Sequence, residues 1–123
     1  MKGDFAFKEL KVWQMSIEFA NAILDLVENL NSSFKHYRLV EQIEASSVSI
    51  SSNIAEGKGR ESKKEYIRFL YIARGSLYES ISILTLFEKR KWITKEVLER
   101  LEKMGIEIVS MLKGLINAIA RTL

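Results

Sequence analysis

Apolar residues recur at spacings of three and four through four successive stretches of the chain, the mark of helices that each bury one face. The first stretch covers residues 10–30, where Leu10, Trp13, Ile17, Ala20, Leu24 and Val27 form a stripe. A second stripe of Val12, Met15, Phe19, Ile23, Leu26 and Leu30 runs beside it. One core needs less apolar width than that. Either this helix also faces a neighbouring subunit, or its own chain covers it on two sides. Asn31-Ser32-Ser33 predicts a turn, with Ser33 placed to cap the next helix.

The second helix is expected over residues 36–55, with Val40, Ile43, Ser47, Ile50 and Ile54 as a heptad-like seam. Its small content is unusual: Ala45, Ser46, Ser47, Ser49, Ser51 and Ser52. Small side chains let two helix backbones approach closely, and a helical serine can satisfy its hydroxyl on the preceding turn. The third helix, residues 63–89, buries Tyr66, Phe69, Leu70, Ala73, Leu77, Leu84 and Phe87, and its patch of Ala73, Ser76 and Ser80 is suited to receive those serines. Gly75, in its middle, predicts a close backbone approach, since glycine there costs up to about 1 kcal/mol relative to alanine. Trp92 and Ile93 are expected to plug the following loop, and Thr94 to cap the fourth helix, residues 95–121. That helix carries Leu98, Leu101, Gly105, Ile108, Leu112, Leu115 and Ile119, widened by Met104, Val109, Met111 and Ile116.

The joint between the second and third helices is the most distinctive stretch, Asn53-Ile54-Ala55-Glu56-Gly57-Lys58-Gly59-Arg60. Gly57 fits the left-handed position just past a helix end. Lys58 and Arg60 sit where a helix dipole favours cations. Ser62-Lys63-Lys64-Glu65 has the form of a capping box, in which Ser62 accepts from the first turn and Glu65 reaches back. The pattern as a whole predicts an all-α, antiparallel up-down-up-down four-helix bundle, a single domain spanning residues 1–123. The first and last helices would lie adjacent, and their shared outer surface is the expected oligomer interface.

Composition narrows the picture. Of 123 residues, 47% are hydrophobic and 28% charged, the balance of a globular chain. No apolar run is long enough to cross a bilayer, and the start of the chain lacks a secretory pattern, so a cytoplasmic protein is expected. There is no proline to interrupt a helix and no cysteine for disulfide or thiolate chemistry. A single histidine, His36, cannot build a histidine-rich metal centre. Gly57-Lys58-Gly59 has neither the spacing nor the strand–helix context of a phosphate loop, the Glu-x-x-His pairs of di-iron bundles are missing, and no serine sits in a strained turn beside a histidine. No enzymatic activity, metal or cofactor is expected.

Charge supplies the one candidate site. The net charge of +3 permits nucleic-acid contact without requiring it. At 100° per residue, however, Lys64, Arg68, Tyr71, Arg74 and Tyr78 share one sector of the third helix, with Lys58, Arg60 and Lys63 leading into it. Guanidinium groups interleaved with aromatic rings suit phosphates and unpaired bases. The plain alternative is a solvated charged face.

Gln42-Ile43, Val48-Ser49-Ile50, Asn53-Ile54-Ala55-Glu56-Gly57, Gly59-Arg60, Phe69-Leu70, Ala73-Arg74-Gly75-Ser76-Leu77 and Glu79 together resemble the family of 23S rRNA intervening-sequence proteins. Leu10-Lys11-Val12-Trp13-Gln14 and Met111-Leu112-Lys113-Gly114-Leu115-Ile116 extend the resemblance to nearly the whole chain. It implies a bacterial four-helix bundle without enzymatic activity, similar in fold to the accessory variability proteins of diversity-generating retroelements. Those form barrel-like pentamers that bind nucleic acid and a reverse transcriptase. The resemblance thus implies a pentameric homo-oligomer with RNA or a ribonucleoprotein as partner. A protein-interaction or assembly module without nucleic acid is the rival reading. The chain departs from the family by carrying Glu44 and Ala45 where members commonly have two arginines, and Ser51 where they have proline.

Overall fold

The computed structural model describes residues 3–30 and 35–123. The turn expected at Asn31-Ser32-Ser33, with Ser33 as a cap, lies outside the described residues. A short 3-10 turn, Ala6–Glu9, leads into α1 (Lys11–Glu28), α2 (Tyr37–Lys58), α3 (Lys63–Lys89) and α4 (Lys95–Ala120). Each helix packs on its sequence neighbours, and α1 closes the ring against α4. This is the four-helix bundle that the apolar periodicity predicts. The α2–α3 seam is the closest and the α1–α4 seam the most open.

The reason for the close seam is the small-residue content of both partners. Ser46 Oγ lies 2.8 Å from Ser80 Oγ, and Ser49 Oγ lies 2.9 Å from Ser76 Oγ. Each of the first pair also lies near a carbonyl of its own helix, Ser80 Oγ 2.9 Å from that of Ser76 and Ser46 Oγ 3.3 Å from that of Ile43, and either hydroxyl can be the donor between the two. Ser46 and Ser80 are buried and Ser49 and Ser76 half-buried, and all four hydroxyls are satisfied, as burial of a polar group requires. The seam also contains Ile43, Ile50, Ile54, Leu70 and Leu77, none more than 1% exposed. Each such side chain contributes about 1.5–3 kcal/mol by leaving water.

The faces of α1 differ from expectation. The stripe through Val12, Phe19 and Ile23 is the core stripe, joined by Ser16, Ala20 and Val27. Of the other stripe, Leu10, Trp13 and Leu24 are half-buried and Ile17 is 38% exposed. In α2 the expected seam of Val40, Ile43, Ser47, Ile50 and Ile54 is buried throughout.

Gly57 also differs. It lies inside α2, which continues to Lys58, and is not a left-handed residue past the helix end. Its missing side chain serves packing instead. A Cβ placed there would fall 2.8 Å from Phe69 Cβ, 3.1 Å from Tyr66 Cδ1 and 3.2 Å from the Tyr66 carbonyl oxygen. Gly75, expected at a close approach, is exposed and has nothing within 4 Å of the corresponding position. The close approach therefore belongs to the joint and not to mid-α3.

The end of α3 holds the left-handed residue. Lys91 has φ 63°, Lys91 N–H donates to the Glu88 carbonyl, and Trp92 N–H donates to the Phe87 carbonyl, both at 2.9 Å. That is a Schellman motif, with Trp92 packed on Phe87 at 5.1 Å between ring centroids. Trp92 also stacks on His36 at 4.7 Å, and Ile93 is buried, so the loop is plugged as expected. Thr94 caps α4 by accepting from Val97 N–H at 3.1 Å.

Candidate nucleic-acid interface

The α2–α3 joint positions everything in the basic stretch. Ser62 Oγ accepts from Glu65 N–H at 3.2 Å and starts α3, which is half of the expected capping box. The other half is replaced: the Glu65 carboxylate accepts from Arg68 Nε at 2.9 Å. Asn53 Nδ2 donates to the Ser49 carbonyl at 2.8 Å and to Ser49 Oγ at 2.9 Å, tying it to the Ser49–Ser76 contact. Ile54 fills the core, Glu56 pairs with Arg60 at 3.1 Å, and Gly57 admits α3. Gly59 is the C-cap of α2 in an ordinary right-handed conformation, with only ordinary contacts around it. Asn53, Ile54, Glu56 and Gly57 of the Asn-Ile-Ala-Glu-Gly motif thus each fix one part of the joint.

Around Phe69 the structure assembles a cluster in which charge is balanced. The guanidinium carbons of Arg60 and Arg68 lie 4.8 and 4.7 Å from its ring centroid, each within range of a cation–π contact. Each is also paired with an acid, Glu56 and Glu65 respectively. The hydrogen bond between Arg68 and Glu65, and then the charge of each on the other, holds the Glu65 carboxyl below its ordinary value and Arg68 above its own. Both arginines are about half exposed, so they remain reachable, but a phosphate must compete with a carboxylate for each.

Two turns further along α3 the situation reverses. Arg74 has no carboxylate partner among the described residues; its guanidinium carbon lies 4.7 Å from the Tyr71 ring and 5.8 Å from the Tyr78 ring. Tyr71 is 46% and Tyr78 53% exposed. Lys64 is exposed and faces the same side as these rings. Lys63 is turned away, its ammonium donating to the Thr122 carbonyl at 3.1 Å beyond the end of α4. Lys58 sits 5.9 Å from the Tyr66 ring. Burial pushes the Tyr66 phenol above its ordinary pKa, and its hydroxyl has no hydrogen-bond partner among the described residues. Of the sequence-derived residues, then, Arg60 and Arg68 form one cluster, and Tyr71, Arg74 and Tyr78 another. Ala45 is exposed on α2 and Glu44 half-buried, so an arginine at position 45 would stand on the surface.

Sequence reasoning missed one feature beside Tyr78. Ile106, 70% exposed, falls outside both apolar stripes of α4, and it flanks a groove against α3 that includes Glu102 and Gly105. An isoleucine off the stripe was the available signal. Among the described residues no group of acidic or histidine side chains is placed to hold a metal ion, and no helix is long and apolar enough to cross a membrane.

The family model described as 23S rRNA-intervening sequence protein matches residues 8–114. A crystal structure of a protein of unknown function from the S23 ribosomal protein family of Bacteroides thetaiotaomicron is similar, with a TM-score of 0.79 and 31% sequence identity. The match covers 85% of this chain and 97% of that one. No curated protein matches. With the motif, the bundle and the family model in accord over most of its length, this chain belongs to the 23S rRNA-intervening sequence protein family.

Proposed function

We propose that this chain is a non-enzymatic, oligomeric bundle of the bacterial cytoplasm that binds RNA, or an RNA-containing partner, through α3. The observation that carries this reading is Arg74, a cation without an acidic partner among the described residues, held between two exposed tyrosine rings. A guanidinium in that setting neutralises a phosphate while the rings offer a stacking surface, and Lys64 extends the positive field toward the joint. Tying the rings down with Arg74 also lowers the entropy lost when a base stacks on them.

The test is a titration of labelled single-stranded and structured RNA against the protein at increasing salt. Binding through phosphates weakens steeply as salt rises. Arg68→Glu combined with Arg74→Glu is expected to abolish binding while the far-ultraviolet circular dichroism stays unchanged. Absence of any salt-sensitive binding by the wild-type protein refutes the reading.

A second reading, a protein-interaction or assembly module without nucleic acid, is favoured by the α1–α4 seam. Two apolar depressions open there, one of about 420 Å³ with Leu26, Trp92 and Val97 on its wall and one of about 230 Å³ with Leu10, Met111 and Leu115. Coverage by a neighbouring copy accounts for the apolar width of both helices, and the family resemblance suggests five copies. Light scattering decides this point: a monomer removes the interface from α1 and α4. Recovery of a stoichiometric protein partner with no nucleic acid favours the second reading over the first.

A further inference from the structure

Beside the Tyr71–Arg74–Tyr78 cluster, the surface between α3 and α4 opens into a groove of about 390 Å³. Its floor is apolar. Leu77 is 1% exposed, and Gly105 is buried against it: a Cβ on Gly105 would meet Ile81 Cδ1 at 3.4 Å and Leu77 Cδ1 at 3.5 Å. Its walls are two side chains the chain leaves uncovered, Tyr78 at 53% and Ile106 at 70%. The single charged group in the lining is Glu102, which takes part in no ion pair among the described residues. Tyr78 belongs to both features, since Arg74 approaches its ring at 5.8 Å. A cation therefore stands at the edge of a trough whose far side carries a carboxylate.

The geometry points to this groove as the seat of one unpaired nucleotide in an RNA strand held along α3. The base lies on the apolar floor between Tyr78 and Ile106, an adjoining phosphate lies on Arg74, and an exocyclic amino group of the base donates to Glu102. Charge selects the occupant. An anionic strand complements the free guanidinium, while a flat ring without charge is the part of that strand an apolar trough accepts. A base paired in a duplex cannot enter, so the site reads loops, bulges and ends. The carboxylate adds selectivity, because it accepts a hydrogen bond from the amino groups of cytosine, adenine or guanine, whereas uracil has none to offer. This inference rests on the RNA reading of α3 and adds the chemistry of the base.

The test uses short labelled single-stranded homopolymers of cytidine, adenosine and uridine, followed by fluorescence anisotropy with the wild-type protein, Glu102→Ala and Ile106→Ser. Neither substitution touches a fully buried side chain, and circular dichroism checks the fold of each. Wild type is expected to bind the cytidine and adenosine strands roughly tenfold more tightly than the uridine strand, the size of one hydrogen bond to a charged acceptor. Glu102→Ala is expected to erase that preference, bringing the three strands to equal affinity. Ile106→Ser is expected to weaken all three strands several-fold with the salt dependence unchanged, since it removes contact and no charge. Salt-sensitive binding that ignores base identity and both substitutions overturns the groove and leaves the RNA reading standing. Absence of binding to any strand removes both. A change in molar mass by light scattering on Ile106→Ser, with RNA affinity unaltered, assigns the groove to contact between copies and overturns the nucleotide site.

Discussion

Replacing glycine by alanine should have opposite effects at two positions of this bundle. In an open helix the change is favourable by up to about 1 kcal/mol, because alanine loses less backbone entropy on folding. Gly75 is exposed within α3 with nothing within 4 Å of a new Cβ, so Gly75→Ala should gain about 0.5–1 kcal/mol. At Gly57 the same methyl group arrives 2.8 Å from Phe69 Cβ and 3.2 Å from the Tyr66 carbonyl oxygen. Ordinary carbon–carbon contact begins near 3.5 Å, so the helices must separate by roughly 0.7 Å locally. Both atoms are fixed to the α3 backbone, and no rotamer change relieves them. The displaced helix also carries Ser76 and Ser80, whose hydroxyl contacts to α2 at 2.9 and 2.8 Å would lengthen. Overpacking of this kind costs about 1–3 kcal/mol, against a propensity gain of about 1, for a net loss of up to about 2 kcal/mol. Urea denaturation followed at 222 nm reads both variants directly, with Gly57→Ala the less stable of the two by about 0.5–3 kcal/mol. If Gly57→Ala gains as much stability as Gly75→Ala, the α2–α3 packing described above is wrong, and so is the account of the family motif.

Three further outcomes follow from single features. Lys91→Gly should raise stability by about 0.5–1 kcal/mol in the same assay, since φ 63° strains a side-chain-bearing residue and glycine is free of that strain. Tyr66→Phe should also stabilise, by about 1 kcal/mol at neutral pH, because it removes a buried hydroxyl without a partner among the described residues. Burial raises the Tyr66 pKa above its ordinary 10.0, so wild type should lose stability as pH rises above 10, where the unfolded chain ionises first, and Tyr66→Phe should lack that loss. Glu65 is displaced the other way, first by the hydrogen bond from Arg68 and then by its charge. Its contribution is present above the ordinary value of 4.5 and fades as pH falls below it; thermal melts of Glu65→Gln should show a shallower decline there.

Much of the fold was legible because it rests on short-range physics. The cap at Thr94, the plug of Trp92 and Ile93 and the serine patch shared by α2 and α3 depend on residues a turn apart or on side-chain size alone. All are as the sequence predicts. The candidate site was legible only as a face. Periodicity placed Lys64, Arg68, Tyr71, Arg74 and Tyr78 on one sector, but it could not sort arginines tied to acids from the one that is not. Arg60 and Arg68 find Glu56 and Glu65 one turn away, which sequence spacing allows; Arg74 finds only rings. The groove beside Tyr78 needs two helices at once, and no single-helix pattern contains it.

The sequence by itself determined that four helices form and where most of them start, because hydrogen bonding within a helix and capping at its ends are local. It also determined that α2 and α3 can approach closely, since small side chains facing each other leave room for it. Tertiary structure decided which of the two α1 stripes turns inward. A 3.6-residue period fixes the angle between residues but not the rotation of the whole helix, and two adjacent apolar stripes leave that rotation to the partners. It decided the role of the glycines in the same way. Glycine suits a left-handed turn and a close approach equally well, and only the position of Phe69 and Tyr66 against Gly57, with Lys91 taking the left-handed turn elsewhere, separates the two. Local free-energy differences of about 1 kcal/mol favour either choice at such a residue, and packing between helices outweighs them.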